Sequence, residues 1–89
     1  MTNATAPAAI VLPEFTEQKI AQLNADLNRH HALCASFSLK AARARRAGHE
    51  LEALMWTNTA KIHANLMEHA QKDLRATLAD VTRIYGVNL

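Results

Sequence analysis

Cysteine, glycine, proline and aromatic residues are all scarce in this 89-residue chain, and each scarcity narrows what the chain can be. Cys34 stands alone, so no disulfide closes within the chain, and a lone thiol suits a reducing compartment. The expected location is therefore the cytoplasm. Two glycines and two prolines leave almost no turn chemistry, which is the profile of a nearly all-helical protein. The aromatics are Phe15, Phe37, Trp56 and Tyr85 alone. The first fifteen residues carry no cationic segment, and their longest aliphatic run is Ile10-Val11-Leu12. That is too short for a signal-peptide core or a membrane span, so no membrane partner is expected. A net charge of +2 is too small to imply a nucleic-acid partner by itself.

A chain of this length forms one domain and buries only about 60% of the surface it exposes when unfolded. Such a core is marginal unless disulfides, metals or oligomerisation add to it. Disulfides are excluded here.

Residues 1–12 read as an arm of small and polar residues that ends in the sticky Ile-Val-Leu. Pro13 suits a first helical position and Thr16 is a rival N-cap, so two helix starts are open. From there to Arg46 no glycine or proline intervenes. Apolar residues recur at steps of three and four: Ile20, Leu23, Leu27, Cys34, Phe37, Ala41 and Ala44, with His30 as the one polar member. The spacing predicts a helix over about 14–46. Gly48 interrupts, and a turn is expected over about 47–49. The period resumes over about 50–85 with Leu51, Met55, Asn58, Ile62, Asn65 or Leu66, His69 or Ala70, Leu74, Thr77 or Leu78, Val81 and Ile84. Gly86 after Tyr85 reads as a left-handed helix cap.

The expected fold is all-α: an antiparallel hairpin of two long helices, following a flexible arm over 1–12. One unbroken helix is the alternative, because a single glycine costs only about 1 kcal/mol in a helix. Folding about Ala47-Gly48 pairs Ala44 with Leu51, Ala41 with Met55, Phe37 with Asn58 and Cys34 with Ile62. His30 then falls near Asn65, and Leu27 near His69.

A lone hairpin has one seam, and both helices carry a second small or apolar stripe. On the first helix it is Ala21, Ala25, Ala32, Ala35, Leu39 and Ala42, which fits surface alanine, the best helix former. On the second it is Ala53, Trp56, Ala60, Ala64, Met67, Leu74 and Leu78. Those large residues make the second helix apolar around more than half its circumference, so it wants neighbours on two sides. Trp56, Ala60, Met67, Leu74 and Leu78 are the expected self-association face, completing a helical bundle as a dimer or larger assembly.

The histidines invite a metal reading through His30, His63 and His69, with Glu68 and Asp73 as possible oxygen donors. The Glu-x-x-His pairs of bundle metal sites and a His-x-x-x-His spacing are both missing. The expectation is instead a polar layer of His30, Asn65 and His69 that sets register, with no metal and no cofactor. His30 lies one turn before Cys34, a spacing that activates thiolates but also occurs in ordinary cores. Asp26 and His30 share the same spacing and read as a surface ion pair. No glycine-rich phosphate loop is present, and no catalytic residue is expected.

Lys40, Arg43, Arg45 and Arg46 are the candidate partner-binding residues. Their positions splay around the helix, and aromatic platforms for single strands are missing beside them. Cations at the end of one helix and Glu50 and Glu52 at the start of the next also complement the two macrodipoles. The expected function is a non-enzymatic helical interaction module that occupies a protein partner's surface, as an inhibitor, antagonist or chaperone does. An acidic surface suits the basic tip. The alternative is a nucleic-acid-binding module using the same four cations.

Overall fold

The computed structural model describes residues 12–86, which form two helices, α1 (Glu14–Arg46) and α2 (Glu50–Tyr85), packed antiparallel as a hairpin. Each is roughly 50 Å long at 1.5 Å per residue. The arm over residues 1–11 and Val87 lie outside the described residues. The fold class is the all-α hairpin that the three-and-four period implies, and the unbroken helix is excluded.

Of the two open helix starts, the chain uses the one after Pro13. Pro13 is extended (φ −53°, ψ 140°), and its carbonyl accepts from the backbone N–H groups of Thr16 (2.9 Å) and Glu17 (3.1 Å). Proline suits this position because it has no N–H to leave unpaired. At the other end of α1, Gly48 takes a left-handed φ of 82°. The Gly48 N–H then bonds the Arg45 carbonyl (3.1 Å), and the His49 N–H bonds the Ala44 carbonyl (2.9 Å). This paired closure satisfies the last carbonyls of α1 while reversing the chain. Glu50 and Glu52 occupy the first turn of α2 and Arg43, Arg45 and Arg46 the last turn of α1, each favourable to its dipole. Gly86 ends α2 in the left-handed conformation (φ 69°), its N–H on the Thr82 carbonyl.

The seam of α1 is the one its period predicts: Ala41 and Ala44 are buried, and Ile20, Leu23, Leu27, His30, Cys34 and Phe37 are half-buried. The outward alanines Ala21, Ala25, Ala32 and Ala35 are exposed.

On the N-terminal half of α2 the expectation inverts, whereas Ala70, Leu74, Thr77, Leu78 and Val81 face inward as the period predicts. The buried side carries Ala53, Ala60, Ala70, Thr77 and Val81, flanked by half-buried Trp56, Met67, Leu74 and Leu78. Trp56, Ala60 and Met67, expected on the outer face, thus fall on the inner one, as do Leu74 and Leu78, which the period assigns to both stripes. Leu51, Met55, Ile62, Leu66 and Ile84, expected in the seam, are exposed. The reason is closeness of approach. Ala41 and Ala44 of α1 face a stripe that is itself mostly alanine and threonine, and small facing residues let two helices approach at the short end of the usual range. Branched residues there would hold the backbones apart. The core is accordingly thin: among the described residues, no large side chain is fully buried.

Two seam hydroxyls are satisfied within α2. Thr57 Oγ1 donates to the Ala53 carbonyl and Thr77 Oγ1 to the Asp73 carbonyl, both at 2.8 Å. Turning the hydroxyl back onto its own helix leaves the threonine methyl free to pack across the seam.

Candidate functional site: the aromatic edge and the outer face of α2

The two helices interleave their rings along one edge of the seam. The imidazoles of His30 and His63 meet edge to edge, with centroids 5.1 Å apart and their Nδ1 atoms 2.9 Å from each other. Phe37 stacks on His63 (5.5 Å, planes 17° apart) and on Trp56 (5.3 Å, 9° apart). Lys40 Nζ closes the column, 4.7 Å from the Trp56 ring and 5.3 Å from the Phe37 ring. A cation over two aromatic faces is held by their quadrupoles. One donated N–H joins the histidines, with one ring as donor and the other as acceptor.

These partners replace the predicted pairings. Phe37 meets Trp56 rather than Asn58, and His30 meets His63 rather than Asn65. Asn65 and His69 are exposed, so the expected polar layer of His30, Asn65 and His69 does not form. Asp26 pairs with Arg29 at 3.1 Å and accepts from Gln22, in place of the expected pair with His30. His63 was legible as a histidine level with His30. Its role was missed because the period was assigned to the opposite face of α2.

The other edge of the seam is open. Cys34, Ser38 and Ala41 line a groove of about 330 Å³ with Thr57, Ala60 and Ala64. The small side chains that permit close approach leave this space unfilled. Cys34 is half-buried, and the Nδ1 of His30, one turn before it, is already bonded to His63.

Opposite the seam, Leu51, Leu54, Met55, Ile62 and Leu66 lie along one side of α2, each between 43% and 85% exposed. Asn58 lies among them, and it too is exposed. Five large aliphatic side chains in four turns is a far greater density than scattered surface leucines produce.

At the tip, the four candidate cations behave differently from one another. Lys40 sits on the aromatic column. Arg43, Arg45 and Arg46 are exposed, and none is within ion-pair distance of an acid among the described residues. His49 faces Glu52 at 3.3 Å across the start of α2.

Fold and faces together define a two-helix hairpin with a thin alanine seam and one apolar face that packs against no other element among the described residues. No family model, curated protein or solved structure matches the chain. No helix among the described residues is long and apolar enough to cross a membrane.

Proposed function

We propose that this protein is a non-enzymatic helical interaction module that acts by covering an apolar protein surface with the outer face of α2, and that a second copy covers that face when nothing else does. The observation that carries this reading is the exposure of Leu51, Leu54, Met55, Ile62 and Leu66 along one side of α2. Burying a large aliphatic side chain completely contributes about 1.5–3 kcal/mol. Covering what five such residues still expose, on two copies, is worth roughly 10 kcal/mol. That is comparable to the ~4–15 kcal/mol cost of bringing two molecules together. The resulting assembly is moderate in strength and depends on concentration. It leaves the face available to a better partner, as an inhibitor, antagonist or chaperone requires.

The strip is complementary to itself. In an antiparallel two-fold pairing Leu51 meets Leu66 of the second copy and Met55 meets Ile62, so one patch serves both sides. Parallel pairing instead brings two tips bearing Arg43, Arg45 and Arg46 together, a like-charge arrangement. The test is sedimentation or light scattering from micromolar to millimolar protein. The wild type is expected to associate, and Ile62→Glu to remain helical and monomeric. A wild type that stays monomeric over the whole range removes the self-association reading.

One observation favours a second reading, in which the tip binds nucleic acid: Arg43, Arg45 and Arg46 have no intramolecular acid to neutralise them among the described residues. That reading requires retention of DNA or RNA at low salt that weakens steeply as salt rises. No retention at low salt removes it.

A further inference from the structure

The open edge of the seam differs in chemistry from the aromatic one. Its floor is the buried pair Ala41 and Ala60, with half-buried Ala64 beside them. Its rim carries two cations, Arg45 from α1 and Lys61 from α2. Both are exposed, and neither lies within ion-pair distance of an acid among the described residues. No acid lines the groove. Thr57 already donates its hydroxyl proton to the Ala53 carbonyl, so the donors left inside are the Ser38 hydroxyl and the weaker Cys34 thiol. An apolar floor below two unneutralised cations complements a ligand with an apolar body and an anionic head.

The dimensions select the body. The lining runs from Cys34 to Arg45 on α1 and from Thr57 to Ala64 on α2, which is about 10–16 Å at 1.5 Å per residue. The volume of about 330 Å³ holds roughly ten groups the size of a water molecule. A long, shallow trench of that capacity suits one extended chain better than a ring. We propose that this groove binds an unbranched aliphatic carboxylate of about eight carbons. The chain lies on the alanine floor, and the carboxylate sits at the level of Ser38, whose hydroxyl donates to it. Arg45 lies two turns from Ser38 on the side of the hairpin tip, and Lys61 lies one turn from Thr57 on the other side. The two cations thus reach the head from opposite ends. The guanidinium fork matches a carboxylate, and the aliphatic stem of Lys61 covers part of the chain.

The fold gives such a ligand something to do. The described core holds no fully buried large side chain, and a chain laid on Ala41, Ala60 and Ala64 adds apolar contact on the edge that the rings leave bare. A ligand that binds the folded hairpin and not the unfolded chain also stabilises it. The groove shares no residue with the exposed aliphatic side of α2, so binding here does not rest on the pairing of two copies.

The test uses the full-length chain at low micromolar concentration, octanoate as the probe and Cys34 as the reporter. The rate at which a small neutral thiol reagent modifies Cys34 is followed with rising octanoate, butanoate or octylammonium. Octanoate is expected to slow the reaction to a plateau. Butanoate is expected to need roughly tenfold more, because each half-covered methylene adds about twofold in affinity. Octylammonium, with the same chain and the opposite charge, is expected to protect at least tenfold less well. Lys61→Glu is expected to weaken the octanoate effect about fivefold. Ser38→Leu plugs the trench from an exposed position and is expected to abolish it. No protection by octanoate, equal protection by octylammonium, or an unchanged response in Lys61→Glu overturns the proposal. Protection that rises with protein concentration and not with octanoate assigns the groove to a second copy, and overturns it too. Methyl spectra of the wild type give a second measurement if a variant does not fold. Octanoate must move the methyl signals of Ala41, Ala60 and Ala64. Shifts confined to Leu51, Met55 and Ile62 place the chain on the outer side of α2 and overturn the groove as its site.

Discussion

The ring of Phe37 on α1 lies face to face with the indole of Trp56 on α2, centroids 5.3 Å apart and planes 9° from parallel. This pair marks which way α2 faces. With Trp56 turned inward, Ala53 and Ala60 follow it into the seam, and Met55 and Ile62 are carried to the outside.

Substitutions on the two sides of α2 therefore have opposite signatures. Truncating a fully buried aromatic to alanine costs about 3–5 kcal/mol, and for half-buried Trp56 the expected loss is about 2–3 kcal/mol. Met55→Ala, one residue away, is expected to change the stability of the monomer by under about 0.5 kcal/mol. Urea denaturation of both variants at low micromolar protein, where association is least, checks this. Equal losses would mean that α2 packs with the other face inward.

Ala53 is 1% exposed, the most enclosed residue among those described. Ala53→Leu places three extra carbons at this enclosed position of the seam. Overpacking of this kind costs about 1–3 kcal/mol, so the denaturation midpoint is expected to fall by that amount. Ala32→Leu, on the exposed face of α1, is the matched control and is expected to leave the midpoint nearly unchanged.

The tip is strained for any residue but glycine. A β-carbon on Gly48 meets nothing within 4 Å, so the cost of Gly48→Ala comes from its φ of 82° alone. That cost is expected to be about 1–2 kcal/mol. Gly48→Asn is expected to cost less, since asparagine tolerates the left-handed region. Melting temperatures of the two variants, ranked alanine below asparagine below wild type, test the tip as drawn.

The orientation of the second copy is open to cross-linking in a Cys34→Ser background. Antiparallel pairing predicts that Leu51→Cys combined with Leu66→Cys gives a covalent dimer on oxidation, while Leu51→Cys alone does not. Parallel pairing predicts a dimer from Leu51→Cys alone.

Much of the hairpin was legible from particular residues. The absence of glycine and proline between Glu14 and Arg46 favours one long helix, and the seam from Ile20 to Ala44 outranks its rival stripe on α1, which is almost all alanine. Gly48 flanked by arginines and glutamates marks the tip because the charges suit two helix ends and not one continuous helix. The inner face of α2 was legible from Ala70 to Val81 but not from Leu51 to Leu66. Leu51, Met55 and Ile62 keep the period as well as Ala53, Trp56 and Ala60 do, and they are on average more hydrophobic. Ranking by hydrophobicity therefore chose the outer strip. The meeting of His30 with His63 was lost with it, because rotating α2 exchanges His63 for Asn65 at the level of His30.

The sequence by itself determined that the chain is nearly all helical, which stripe of the first helix is buried and where a break is favoured, since each of these depends on local propensity and helix-end charge. The closure of the turn and the exclusion of one unbroken helix came from the structure. Only the tertiary structure decided which of two apolar stripes on the N-terminal half of α2 faces inward. Hydrophobic burial rewards both stripes and cannot rank them, whereas fit can. Alanines meeting alanines bring the helices close, and the rings of His30, His63, Phe37 and Trp56 then fill the edge that this approach leaves.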